Sequence, residues 1–419
     1  MTHCSIITIG DELLFGLTTD TNSSWMASEL NQAGFRVIRR IAVGDDPDAI
    51  IMALKDESLR SEIILVTGGL GPTSDDITRE VLCVFFGDSL VMNEPLKKRI
   101  EMHFESLGLP ILESNLRQAM VPKTCNMIPN EQGTAPGIWF DRDGRVYVAM
   151  PGVPHEMEEM MIREVIPRLR KRFIPSEIIH RTLITTGQGE SFVAERLKGF
   201  EKQLPEEIKL AYLPSYGFLK LRLTGLGSKK SSLQIRMEEH FARLIGILND
   251  IILAQEDISI GEIAGRMLKQ QAATVGTAES CTGGYIAHLL TQIPGSSAYF
   301  RGGVISYADE LKTDLLGVDN RIIRNQGAVS EDTVKAMAKG ALIKLKTDYI
   351  LAVTGIMGPG GGTLEKPVGT LWIAAANREK VLTRCYQLKY DRKNNIRIAS
   401  FHALKQLISL LNDIHPPGK

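Results

Sequence analysis

The chain has 419 residues, of which 43% are hydrophobic and 23% are charged, so it is long enough for two or three globular domains. Its 49 basic residues balance its 49 acidic residues, which argues against a protein that coats nucleic acid. No apolar stretch reaches membrane-spanning length, so no membrane partner is expected. The five cysteines are scattered, and the first residues carry no signal-peptide pattern. Together these features predict a cytoplasmic protein.

The first third of the chain alternates strand and helix patterns. A helix is expected over 21–33, and strands are expected over 4–9, 36–43, 63–66 and 146–150. This alternation predicts a doubly wound α/β domain, in which a parallel sheet carries helices on both faces. Ligands bind such sheets beyond the C-terminal ends of the strands. Glycine-containing turns follow several of these predicted strands, so they are candidate ligand-binding turns.

Acidic residues accompany these glycines in two places, at 10–12 and at 67–76. Glycine amides can cradle a pyrophosphate, while carboxylates hold a divalent metal that polarises the phosphoryl group. Asp75 and Asp76 could instead cap the next helix, but two consecutive acids after a glycine loop favour the ligand interpretation. The predicted nucleotide-binding residues are Gly10, Gly68, Gly69, Gly71, Thr73, Gly133, Thr134 and Gly152, and the predicted metal ligands are Asp11, Glu12, Asp75 and Asp76.

A smaller α/β unit is expected in the middle of the chain. The sequence becomes basic and proline-punctuated near residues 168–175 and opens a new helix pattern after residue 256. Strands are expected over 179–186 and 219–224, and helices near 191–200 and 232–249. We therefore predict three domains, covering 1–171, 172–255 and 256–419.

The third unit opens with a predicted strand over 274–278, followed by Glu279-Ser280-Cys281-Thr282-Gly283-Gly284 and a helix from Tyr285. Paired glycines at a strand end expose backbone N–H groups, which suits an anion or a developing oxyanion. A helix N-cap formed by Ser280 or Thr282 explains the same residues equally well. Cys281 is a rival nucleophile, but adjacent residues point in different directions and no His is placed to generate a thiolate.

A predicted strand over 304–307 delivers Tyr307, and Lys312 follows about one helical turn later. A serine needs a base to become nucleophilic, and a lysine in a desolvated pocket can act as one. No His lies in these turns, so a Ser280–Lys312 pair assisted by Tyr307 is favoured over a Ser-His-Asp triad. An exposed lysine and a half-buried tyrosine without function are the alternative.

A glycine-rich segment, 352–363, lies between two predicted apolar strands over 349–353 and 371–376. So many glycines at a strand exit allow the backbone to approach a ligand closely, such as a phosphate or ribose. A flexible surface loop is the alternative, and the two flanking strands favour a functional loop.

Several of these motifs together resemble the CinA-like (competence/damage-inducible) family: 278–284, 302–307 with Lys312, 327–330, and 354–359 with 366–369. The resemblance implies a nicotinamide mononucleotide deamidase that needs no cofactor, with Ser280 as nucleophile activated by Tyr307 and Lys312. Met357 stands where a small residue is usual, and its thioether would narrow the pocket. The expected substrate-binding residues are Glu279, Thr282, Gly283, Gly284, Thr354, Gly355, Gly358 and, for the phosphate, Arg397.

The resemblance extends over nearly the whole chain. It implies an N-terminal domain similar to molybdopterin-binding domains, with ADP-ribose pyrophosphatase activity that depends on a divalent metal (Mg, Mn or Co). Segments 186–191 and 212–217 match the family's KH-like linker domain, although 186–191 lack the basic-flanked Gly-x-x-Gly clamp for RNA. A homodimer is also implied. The alternatives are a pterin-binding or pterin-transfer protein, or a DNA-uptake partner with vestigial catalysis.

Overall fold

The computed structural model describes residues 2–215, 217–227 and 230–414. Tyr216, which belongs to the segment predicted to match a KH-like linker, lies outside the described residues. Two compact units are distinguished, 1–179 with 225–236, and 180–224 with 237–419, and the three-domain boundaries stay a prediction. Within the described ranges, none of the helices combines the length and the apolar character needed to cross a bilayer.

The N-terminal sheet confirms the predicted α/β domain with a largely parallel sheet. Its strands pair in the order β2-β1-β3-β8-β7-β6, and β4 pairs with β5; they are β1 (His3–Ile9), β2 (Arg36–Val43), β3 (Ile63–Thr67), β4 (Leu90–Met92), β5 (Met120–Pro122), β6 (Asn126–Ile128), β7 (Gly137–Arg142) and β8 (Arg145–Met150). The strands β1, β2, β3 and β8 are parallel. The antiparallel pair β7–β8 was not predicted. The two strands are connected by Asp143-Gly144, a dipeptide typical of two-residue hairpin turns, and both residues have positive φ.

Helices cover both faces of this sheet, which explains why its strands β3 and β8 read as nearly continuous apolar runs. Val146 and Val148 of β8 belong to one hydrophobic cluster, while Tyr147 and Ala149 belong to another. The helices are α1 (Asp11–Leu14), α2 (Thr21–Gln32), α3 (Pro47–Ser58), α4 (Thr78–Phe86), α5 (Glu94–Ser106), α6 (Glu113–Arg117), α7 (Pro154–Met160) and α8 (Ile166–Arg172), with a π-helical turn over Met161–Val165.

A second sheet lies in the middle of the chain, with the strand order β10-β11-β9-β12. Its elements are β9 (Glu177–Thr186), α9 (Glu190–Glu201), β10 (Ile208–Ser215), β11 (Phe218–Gly227), α10 (Lys230–Leu248) and β12 (Ile252–Ala254). The strand β10 was not predicted, and most of its residues are exposed.

The C-terminal sheet has the order β14-β13-β15-β16-β17. Its strands are β13 (Val275–Glu279), β14 (Phe300–Ile305), β15 (Tyr349–Gly355), β16 (Thr370–Ala376) and β17 (Val381–Gln387). Around them lie α11 (Ile260–Gln270), α12 (Tyr285–Thr291), α13 (Asp309–Leu316), α14 (Asn320–Gln326), α15 (Glu331–Leu345) and α16 (Arg392–Ile414). Because β13 runs parallel to both β14 and β15, the loops that follow these three strands leave from the same edge of the sheet.

Candidate functional sites

A cavity of about 510 Å³ opens at the C-terminal ends of β1, β3 and β8. This is the edge at which an open α/β sheet binds ligands, and the volume suits a nucleotide-sized molecule. Most of the residues predicted for the N-terminal site line this cavity, namely Gly10, Glu12, Gly68, Gly69, Gly71, Asp75, Asp76, Thr134 and Gly152. Asp11, which begins α1, is not among the lining residues, and neither are Thr73 and Gly133.

Asp45 and Glu156 also line the cavity, and neither was predicted. Asp45 follows Gly44 at the end of β2, so the strand–glycine–acid pattern of 9–12 could have revealed it. The Asp11 amide bonds the Asp45 carboxylate at 3.0 Å, and the Asp45 amide bonds the Asp11 carboxylate at 3.3 Å. Burial raises the pKa of Asp45, and the negative charges of Asp11, Glu12 and Asp75 raise it further.

This concentration of carboxylates fits the type of donor that hard divalent cations prefer. Within the described ranges, however, no three His, Cys, Asp or Glu side chains converge closely enough to hold an ion. Asp76 and Glu156 also line the cavity but accept hydrogen bonds within the protein. Glu12, Asp45 and Asp75 would therefore have to hold such a cation together with oxygen atoms of a bound ligand.

Asp76 has a structural role in the glycine loop. Its carboxylate accepts hydrogen bonds from the amides of Gly71 at 2.7 Å and Thr73 at 2.9 Å, and from the Thr73 hydroxyl. It does not cap the next helix, because α4 has no side-chain cap bond at its N-cap residue Ile77. Asp76 therefore shapes the loop, and its assignment as a metal ligand stays a prediction.

Arg79 also stabilises this loop, and the sequence analysis did not identify this residue. Its side chain is only 4% exposed and donates to the carbonyls of Leu70 at 2.7 Å and Gly71 at 3.1 Å. A glycine is required at position 68 of this loop, because the φ of Gly68 is +113° and a Cβ there would collide with the carbonyl of Ile9. The backbone of the loop is thereby held in one conformation.

The turn after β13 is organised by Glu279, which is fully buried. Its carboxylate accepts hydrogen bonds from the Thr282 hydroxyl at 2.7 Å and from the amides of Gly284, Ile286 and Ala287 at 2.8–3.0 Å. A carboxylate at a helix N-terminus is stabilised by these unpaired amides and by the helix dipole. Glu279 therefore caps α12, whereas a contact with the substrate was predicted for it. The cap predicted as an alternative for Ser280 or Thr282 is thus made by Glu279.

Replacing Glu279 by Gln is expected to destabilise the protein by about 1–3 kcal/mol, because an uncharged amide would place an NH₂ group against backbone donors. Chemical denaturation followed by circular dichroism measures this loss. Glu310→Gln, at an exposed position in the first turn of α13, serves as the control and should change stability by less than about 0.5 kcal/mol. Equal effects of the two substitutions would contradict the capping role.

Ser280 and Cys281 follow at the edge of the sheet and have different environments. Within the described residues, the Ser280 hydroxyl makes no hydrogen bond, while its amide bonds the carbonyl of Val353 at 3.1 Å. Cys281 packs in a hydrophobic cluster with Ile286 and Leu371, and burial raises the pKa of its thiol to about 12. A thiol in this state is not a nucleophile at neutral pH.

Lys312 is 1% exposed and reaches back along the loop that follows β14. Its ammonium donates to the carbonyls of Ser306 at 3.1 Å and Tyr307 at 3.3 Å, and it pairs with Asp309 at 3.2 Å. No hydrogen bond joins it to Ser280 among the described residues. The alternative of an exposed lysine is thus wrong, and Lys312 is buried at the edge to which Ser280 belongs.

Tyr307 is 57% exposed, and its hydroxyl accepts a hydrogen bond from Arg392 at 2.7 Å. The other end of the Arg392 guanidinium donates to the carbonyl of Gly358 at 2.9 Å. Arg392 therefore connects the β14 loop with the glycine-rich loop. It lies at the start of α16, whereas the predicted Arg397 is exposed farther along that helix and makes no hydrogen bond or ion pair within the described residues.

The glycine-rich loop is held by contacts that the sequence did not indicate. The Thr354 hydroxyl donates to the carbonyl of Ala328 at 2.8 Å, which ties the loop to the 327–330 turn. The fully buried Asn395 donates to the carbonyl of Met357 at 3.1 Å. Met357 itself lies in the hydrophobic core, so the expectation that its thioether narrows the pocket is wrong. A Cβ on Gly355 would come within 2.8 Å of the backbone carbonyl oxygen of Thr370, which explains the glycine.

The fold and these sites define a protein that combines a molybdopterin-binding-type domain with a C-terminal domain of another α/β type. Residues 5–171 match the family model described as "Probable molybdopterin binding domain", and residues 257–411 match the "CinA C-terminal domain". The chain belongs to the family of CinA-like proteins.

Two curated relatives support this assignment. The CinA-like protein of Cytophaga hutchinsonii is 42% identical over 98% of this chain and 99% of its own. That of Flavobacterium psychrophilum is 38% identical over 96% of this chain and 97% of its own. A solved structure, the competence/damage inducible protein CihA from Agrobacterium tumefaciens, is 41% identical, with 36% of this chain and 95% of that chain covered and a TM-score of 0.35.

Proposed function

We propose that the C-terminal site hydrolyses the carboxamide of nicotinamide mononucleotide to nicotinate mononucleotide and ammonia. The observation that carries the proposal is the arrangement of the loops after β13, β14 and β15, which leave one edge of the sheet with Ser280, Lys312 and the glycine-rich loop. The choice of substrate rests on the resemblance of these motifs to the family's deamidases.

The reaction divides into two steps. The Ser280 hydroxyl attacks the amide carbon and gives its proton to Lys312 in its neutral form, and the amide nitrogen leaves as ammonia after taking up that proton. Water then hydrolyses the resulting ester and restores Ser280. Lys312 must release one of its three acceptors, Ser306, Tyr307 or Asp309, to receive the proton.

Two backbone amides can stabilise the oxyanion. The amides of Cys281 and Thr282 donate no hydrogen bond to the backbone of another described residue, whereas those of Gly284, Ile286 and Ala287 are occupied by Glu279. Amides directly after a nucleophile are suitably placed to bind the developing negative charge. Arg392, which contacts Tyr307 and Gly358, is the candidate for the substrate phosphate in place of Arg397.

For the N-terminal site we propose a metal-dependent ADP-ribose pyrophosphatase. The glycine loop and the carboxylates of Glu12, Asp45 and Asp75 share one cavity, and a bound diphosphate would supply the further oxygen ligands that a divalent cation needs. The cation, Mg, Mn or Co, would polarise the phosphoryl group and activate water. Glycine amides would bind the diphosphate. The homodimer implied by the resemblance stays a prediction.

The two proposed activities are expected to respond independently to EDTA. Ammonia release from nicotinamide mononucleotide should continue unchanged, because the deamidase residues include no metal ligand, while ADP-ribose hydrolysis should stop. Asp75→Asn should reproduce the EDTA effect, because it removes an exposed carboxylate from the cavity. Both activities are measured on the same purified full-length chain.

Loss of ammonia release on EDTA treatment would contradict the metal-free deamidase. Absence of both activities from a folded chain would favour the pterin-binding or DNA-uptake alternatives. Ser280→Ala is the reciprocal control, since it should leave ADP-ribose hydrolysis intact.

A further inference from the structure

One part of the N-terminal cavity does not come from the strand ends. Phe104 of α5 and Asn115 of α6, together with Gln118 directly after α6, line the cavity that also contains the glycine loop and the carboxylates. The Phe104 ring cannot hold a diphosphate or a cation, and the carboxamides of Asn115 and Gln118 combine N–H donors with an acceptor oxygen. An aromatic ring beside such groups requires an explanation other than the diphosphate alone.

Gln118 is the most informative of the three. Its side chain is only 3% exposed, and its buried carbonyl oxygen has no hydrogen-bond partner among the described residues. Its side-chain NH₂ group likewise makes no hydrogen bond to them. Burying an unpaired amide is unfavourable, so a side chain retained in this state inside a cavity is explained by a partner that enters with the ligand.

Asn115 is oriented by its own helix. Its side-chain oxygen accepts a hydrogen bond from the Leu112 amide at 3.1 Å, which leaves the two N–H donors of the side chain available. Phe104 is half-buried against the cluster of Leu96, Ile100, Ala119 and Val121, so its ring is fixed by packing. The three side chains thus offer an aromatic surface, N–H donors and a carboxamide that both donates and accepts.

We infer that Phe104, Asn115 and Gln118 form a subsite for a planar nitrogen heterocycle whose edge carries an amino group beside a ring nitrogen. The inference rests on the proposed function of the N-terminal site, in which the glycine loop takes the diphosphate of the same ligand. Such a ring has a face for Phe104 and a donor–acceptor edge for the Gln118 carboxamide. Both the adenine of ADP-ribose and a pterin have this edge.

Equilibrium binding by titration calorimetry tests the subsite without relying on turnover. The full chain is titrated in the presence of MgCl₂ with ADP, IDP, inorganic pyrophosphate and biopterin. IDP replaces the adenine amino group with an oxygen and keeps the diphosphate. We expect ADP to bind about tenfold more tightly than IDP, the size of one lost buried hydrogen bond.

In Gln118→Ala and Gln118→Glu this preference for ADP over IDP should disappear, while pyrophosphate binding stays unchanged. Gln32→Ala, at an exposed position outside the cavity lining, is the matched control and should keep the preference. The two Gln118 variants differ in volume, so a folding defect in the alanine variant does not remove the test.

An unchanged ratio of ADP to IDP affinity together with an unchanged affinity for biopterin in both folded Gln118 variants would overturn the inference. Binding of biopterin that depends on Gln118, without such dependence for ADP, would support the subsite and identify a pterin as its source. If ADP binding depends on Gln118 but ADP-ribose is not hydrolysed by the wild-type chain, the subsite stands and the proposed pyrophosphatase falls.

Discussion

Replacing Ser280 by Ala is expected to lower ammonia release from nicotinamide mononucleotide by about a thousandfold or more, because the attacking oxygen is lost. The substitution removes only the hydroxyl oxygen, which makes no hydrogen bond within the described residues, so the fold should be unaffected. Steady-state ammonia release by the purified full chain measures the effect, and a thermal melt checks that the variant is folded.

Cys281 provides the matched control at the neighbouring position. Cys281→Ala should keep most of the activity, and iodoacetamide should not inhibit the wild-type protein, because burial raises the pKa of this thiol to about 12. Retained activity in Ser280→Ala together with its loss in Cys281→Ala would reverse the assignment of the nucleophile.

Replacing Lys312 by Met is expected to lower kcat by about 10²–10⁴-fold, the usual contribution of a general base. KM should change little, because the lysine contacts the 306–309 loop and the proposed substrate contacts lie elsewhere. Met retains the length and apolar volume of the buried side chain, so it isolates the loss of the side-chain amine. The kcat and KM for ammonia release are the measurements.

A purely structural role for Lys312 would give a different pattern. Methylamine should restore part of the activity of Lys312→Ala if the missing group is a proton acceptor, and it should not help if the loop has simply collapsed. Lys344→Met, at an exposed position on α15, is the control for removing a lysine and should be neutral. A fall in stability with no rescue by the amine would reject the base assignment.

The strand ends of the N-terminal domain show how far sequence reasoning reaches. The apolar runs ending in Thr67 and Met150 and the glycines after them indicated a parallel sheet and its ligand-binding edge, because a buried strand is a local pattern. Asp45 followed the same pattern and could have been found. Phe104 and Gln118 could not, because they follow no strand and join the cavity only through the packing of α5 and α6.

In the C-terminal site, too, the sequence indicated some features and only the structure showed the others. The motifs around Ser280, Lys312 and Gly358 are contiguous in sequence, so the sequence by itself determined the family, the fold class and the loops that carry the site. The partner of each side chain was decided only by the tertiary structure: the Glu279 carboxylate faces the amides of α12, and Arg392 rather than Arg397 reaches Gly358. The physical reason is that hydrogen bonds form where distant segments meet, and local sequence patterns do not specify that meeting.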